Sequence, residues 1–158
     1  MTAKAVVQSV CLLALLLFAR LLSGQDFVGT WKLNLEKSRP PVSDLAAITM
    51  KIEETGANTF RSTIDIVWKG GQHQHYEDNR LCDGQEHAAQ GVGLTPGTSE
   101  TRQLLDSSTR KIIQGRAGKV LSEMTSKVSA DGKVMTNRVT RVTKDGNRVK
   151  RVRVFDRE

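Results

Sequence analysis

Apolar and polar residues alternate with period two through most of the chain beyond residue 26. In the opening segment Phe27, Gly29, Trp31, Leu33 and Leu35 fall on one side and Val28, Thr30, Lys32, Asn34 and Glu36 on the other. That is the pattern of a half-buried β-strand, with Trp31 as its first core anchor. Gly29, on the same side, leaves room for another strand or a bulky side chain to approach the backbone. Ser38-Arg39-Pro40-Pro41-Val42-Ser43 reads as a loop, because neither proline can serve in the middle of a sheet. Ile48, Met50 and Ile52 then alternate with Thr49, Lys51 and Glu53, and after Gly56-Ala57-Asn58 comes the longest clean run, Phe60, Ser62, Ile64, Ile66 and Trp68. Gly70-Gly71 turns the chain into a fourth strand, from about Gln72 to Leu81, that is polar on both sides.

From Cys82 to Gly97 the alternation weakens among four glycines and a proline, and at most one short strand fits, around Glu86 to Gln90. Periodicity resumes at Glu100 to Asp106, Arg110 to Gln114, Lys119 to Val128, Lys133 to Thr143 and Arg148 to Asp156, with Asp131-Gly132 and Asp145-Gly146-Asn147 as hairpin turns. No segment after the first 25 residues has helical period. These features predict an all-β antiparallel up-and-down barrel of about 8–10 strands. A long meander leaves its first and last strands unpaired unless they join each other, so closure is expected there. A two-sheet sandwich is the alternative, but it favours long crossover connections, and none is visible.

Residues 1–25 have the layout of a secretory signal peptide: Lys4, an apolar run from Ala5 to Ala19 broken only by Gln8 and Ser9, then Arg20 and the small pair Ser23-Gly24. The run is shorter than the roughly 20 apolar residues of a membrane-spanning helix. Gln25 stands where a lipoprotein signal would carry its cysteine. Cleavage after Gln25 would leave residues 26–158 as one domain, secreted or periplasmic, with no transmembrane segment. That domain keeps Cys82 as its one cysteine, so no internal disulfide is expected, and burial is the expected fate of the thiol.

Charge is uneven. Residues 26–109 hold 8 basic and 12 acidic residues, whereas residues 110–158 hold 14 and 5. Such asymmetry suits an anionic partner, or the pairing of late strands with early ones. Nucleic acid is disfavoured, because Phe155 is the one aromatic among the late cations and single-strand binding wants stacking platforms. Weak contact with anionic envelope polymers fits better. The histidines, His73, His75 and His87, fall within fifteen residues, but no third ligand accompanies the His73-x-His75 pair, and no metal site is assigned. With no nucleophile elbow, phosphate loop or recognisable carboxylate pair, neither an enzyme activity nor a cofactor is expected.

Phe27-Val28-Gly29-Thr30-Trp31-Lys32-Leu33 resembles the opening of the fatty-acid-binding proteins, and Gly29-x-Trp31 is the mark of the wider lipocalin and calycin group. Arg153-Val154-Phe155-Asp156-Arg157 resembles their closing strand, where an arginine and a tyrosine two places apart hold a ligand carboxylate. The resemblance implies Arg153 and Phe155 facing inward, and a basic residue of the last strand, Arg151 or Arg153, against Trp31. Periodicity alone would instead turn Val152 and Val154 inward. This chain has only about ten residues between Leu35 and Ala46, where those proteins insert two helices, and Phe155 replaces their tyrosine. With its leader, it resembles an exported bacterial lipocalin-like domain. The expected function is binding or carriage of a small apolar or amphipathic, carboxylate-bearing molecule, lined by Trp31, Leu33, Met50, Ile52, Phe60, Ile64, Ile66, Trp68, Arg153 and Phe155. A packed barrel acting through its basic outer face, as an envelope-associated interaction protein, is the other reading.

Overall fold

A computed structural model describes residues 24–158; residues 1–23, most of the expected leader, lie outside the described part. A short 3₁₀ helix, Gln25–Phe27, precedes eleven antiparallel strands: β1 (Gly29–Arg39), β2 (Leu45–Gly56), β3 (Thr59–Trp68), β4 (His73–Leu81), β5 (Asp83–Ala88), β6 (Gly91–Val92), β7 (Thr98–Leu104), β8 (Thr109–Arg116), β9 (Lys119–Val128), β10 (Val134–Val142) and β11 (Arg148–Arg157). They form one curled sheet in the order β5-β7-β8-β9-β10-β11-β1-β2-β3-β4-β6. The first and last long strands do pair, with Trp31 opposite Arg157 and Leu33 opposite Phe155.

Two local expectations need correcting. β1 runs on through Ser38 and Arg39, where the sequence predicts loop. Its register against β11 shifts between Asn34 and Arg39, and the Ser38 hydroxyl bridges the irregularity, donating to the Asn34 carbonyl at 2.7 Å and accepting from the Val154 amide at 3.1 Å. Between Cys82 and Gly97 there are two short strands rather than one, and they belong to different edges. β5 pairs β7, while β6 turns back to pair β4. Gly91 permits that return: its φ is 150°, and a Cβ there would lie 2.0 Å from the Glu77 carbonyl oxygen.

The free edges have therefore moved to the middle of the chain, where β5 and β6 end the ladder. Cys82 alone separates β4 from β5, so the backbone itself steps across this seam at one end. At that same end the barrel is sealed. Phe27, Trp31, Ile52, Phe60, Val128 and Met135 are all at most 1% exposed, and the Trp31 indole donates to the Phe27 carbonyl at 2.8 Å. Burying each such side chain contributes roughly 1.5–3 kcal/mol, and these six form the floor. Towards the opposite end Ile48, Ile64, Ile66 and Trp68 are only partly buried.

Candidate functional site

One half of the interior is apolar. Trp31 pairs across with Met50, Met50 with Ile64, and Ile48 with Ile66, so strands β1 to β3 present a continuous hydrocarbon wall. Trp31, Leu33, Met50, Ile52 and Phe60 are buried at its base, and Ile64, Ile66 and Trp68 pack on it nearer the open end. Phe155, opposite both Leu33 and Met135, is buried in the same core.

The residue stacked on Trp31 is Arg157, not Arg151 or Arg153. Its guanidinium carbon lies 4.2 Å from the ring centroid, and its nitrogens donate to the carbonyls of Asp26, Val28 and Gly132 at 2.5–2.6 Å. The register explains the difference: Arg157 is the residue opposite Trp31, whereas Arg153 lies opposite Asn137, further from the floor. Arg153 donates instead to the carbonyls of Arg39 and Pro40 at 3.0 and 3.2 Å, at the exit of β1. Partial burial and the neighbouring Arg151 hold its pKa below the usual arginine range.

The other half of the interior is polar. Across the seam, Arg102 of β7 donates to Asp78 of β4 at 2.7 Å, while Glu100 receives Arg102 at 2.8 Å and Arg80 at 3.3 Å. Gln114 donates to Glu100 and Ser122 to Gln114, carrying the chain of bonds on to β9. Burial opposes the charge on Glu100, but Arg102, Gln114 and Arg80 outweigh it and hold its carboxyl below the ordinary 4.5. Burial likewise opposes the charge of Arg102, and Asp78 and Glu100 reverse the effect, raising its pKa.

Next to this network lies a row in strict register: Arg110 on β8, Ser126 on β9, Asn137 on β10 and Arg153 on β11. Arg110, Ser126 and Asn137 are buried, and Arg110 stacks on Phe27 at 4.5 Å. Its Nε and Nη1, the Ser126 hydroxyl and the Asn137 side-chain oxygen have no hydrogen-bond partner among the described residues. Burial, and then the charge of Arg102, push the Arg110 pKa down to about 10. Burial also pushes the Cys82 thiol up, so it is a protonated thiol at neutral pH. These buried polar atoms cluster in one patch, where an acceptor and donors from outside the chain would satisfy them together.

Sequence reasoning passed over Arg80, Glu100, Arg102 and Arg110. The signal was there: Glu100 and Arg102 share parity with Leu104, and Arg110 shares it with Ile112, so charges stood on the apolar face of their strands. His75 and His87 are each engaged by a carboxylate, Asp65 at 2.7 Å and Asp83 at 3.0 Å, on the exposed surface. Among the described residues no three metal-ligating side chains converge.

No family model matches this sequence, and no curated protein matches it. Solved structures do. The wild-type fluorescent protein UnaG aligns with a TM-score of 0.59 at 15% identity, over 85% of this chain and 98% of that one. Zebrafish ileal bile acid-binding protein, in complex with cholic acid, aligns with a TM-score of 0.56 at 13% identity, over 84% and 99% of the two chains. At such identities the likeness is one of fold. The chain shares the curled antiparallel β-barrel fold of these two proteins, with its first-strand tryptophan clamped by the last strand.

Proposed function

We propose that this protein binds and carries a small amphipathic molecule whose apolar body lies on the β1–β3 wall and whose acidic group meets the polar row opposite, and that it does so after export. The observation that carries the reading is the set of unpartnered buried polar atoms on Arg110, Ser126 and Asn137, in one barrel with the apolar side chains of β1–β3. A guanidinium without an acceptor is costly to bury, and a ligand carboxylate would supply the missing charge and lone pairs together. Arg153, next in the row, belongs to the same proposed contact surface although its Nη1 is held by carbonyls. Residues Trp31, Leu33, Met50, Ile52, Phe60, Ile64, Ile66, Trp68 and Phe155 would line the apolar part. The bile acid complex of the zebrafish protein shows that one barrel of this fold takes a ligand of that general character. Export is supported by the charged and apolar layout of residues 1–25.

The test compares dodecanoate with dodecanol by titration calorimetry and native mass spectrometry of the purified domain. Dodecanoate is expected to bind at least tenfold more tightly, and Arg110→Met to remove most of that advantage while leaving dodecanol within about twofold. Equal binding of both would remove the acid-binding assignment. Binding of neither, nor of any other member of a lipid panel, would remove the carrier reading itself. Secretion of a tagged full-length chain, with the new N-terminus read by mass spectrometry, tests export.

A further inference from the structure

The open end of the barrel carries an unbalanced surface that the carrier reading does not use. The β8–β9 and β10–β11 turns lie side by side there, because β8, β9, β10 and β11 are consecutive antiparallel neighbours. Residues 114–124 and 139–151 expose Arg116, Lys119, Arg141, Lys144, Lys150 and Arg151, none of them in an ion pair among the described residues. A seventh cation, Arg148, is held by Glu123 at 3.0 Å. The other carboxylate of these segments, Asp145, accepts from the Asn147 amide. Among the cations stand exposed aliphatic side chains: Val120 at 46%, Leu121 at 37% and Val149 at 37%. At the sealed end charges of both signs mix: Asp26, Asp106, Asp131 and Glu158 stand near Lys32, Lys133 and Arg157, and Lys32 pairs with Glu158 at 3.6 Å. Exposed cations are thus gathered on the two hairpin tips.

We infer that the two hairpin tips at the open end form a docking surface for a bilayer rich in anionic lipid. Cations without partners supply attraction to lipid phosphates. Apolar residues interleaved with them, which a soluble polyanion would leave in water, can enter the headgroup boundary. The gathering of cations on these tips fixes which end approaches. This inference is independent of the acid-binding row, since none of its residues touches Arg110, Ser126 or Asn137 in register.

Sedimentation with large unilamellar vesicles tests it. Vesicles of equal parts phosphatidylglycerol and phosphatidylcholine are expected to bind the purified domain at least tenfold more tightly than pure phosphatidylcholine. Binding should weaken steeply with salt, as the screening length shrinks from about 10 Å at 0.1 M to about 3 Å at 1 M. Lys119→Glu with Lys144→Glu and Lys150→Glu should lower affinity at least tenfold. Lys127→Glu with Lys133→Glu and Arg138→Glu, the same change of charge elsewhere, should lower it less than threefold. Leu121→Trp should show blue-shifted emission on the mixed vesicles, relative to the unsubstituted protein. An equal loss in both triple variants would reduce the effect to net charge and overturn the assignment. So would an unshifted Leu121→Trp emission combined with equal binding to heparin, which would make the partner a soluble polyanion. Absence of vesicle binding would end the idea outright.

Discussion

Arg157 shows how much one side chain can organise. It covers the indole that anchors the floor and takes three carbonyls, from the 3₁₀ helix, the entry to β1 and the β9–β10 turn. Arg157→Ala should therefore cost about 2–3 kcal/mol, since hydrogen bonds to charged groups and a ring stack are lost together. Urea unfolding would measure it, and a loss below about 0.5 kcal/mol would mean the clamp is decorative. Met135, fully buried between Val128 and Phe155, offers a comparison of pure packing: Met135→Ala should cost about 2–5 kcal/mol through the cavity it leaves. The clamp was half legible. The resemblance points to Arg151 or Arg153 over Trp31, whereas the register puts Arg157 there, because sequence alternation fixes faces without fixing offsets.

At the scale of elements, the long hairpins could be read from alternation because each buries one face. The seam could not. Between Cys82 and Gly97 the chain serves two edges at once, so no single face recurs, and the interior partners of β4 and β7 are charges that pattern reading places outside. Those charges now hold the edges together. Glu100→Gln should destabilise the fold by about 3 kcal/mol at pH 7, because Arg80 and Arg102 would lose a buried counter-charge. Because the Glu100 pKa is lowered on folding, its charge contributes fully above its ordinary 4.5, and that contribution disappears as pH drops through the lowered value. The stability gap between the two proteins should accordingly narrow as pH falls below about 4.5, while exposed carboxylates titrate alike in both. A gap that stays constant down to pH 2 would rule out this role.

Taken whole, the molecule is a barrel whose interior is divided between hydrocarbon and charge and whose two ends differ in both closure and electrostatics. If it is a carrier, occupancy and stability are linked: a ligand at about 100 times its Kd should add about 2.7 kcal/mol, read as a rise in the urea midpoint with dodecanoate. No change in midpoint under saturating dodecanoate would place that molecule outside the fold. The single residue between β4 and β5 has a consequence for how this container breathes. Cys82 works like the stop at the base of a zip: strands His73–Leu81 and Asp83–Ala88 stay tethered there and can part only as a wedge, widest furthest from the stop. Amide exchange should then quicken along β4 from Arg80 towards His73, and any guest passing sideways through the wall would have to slip out at the lip.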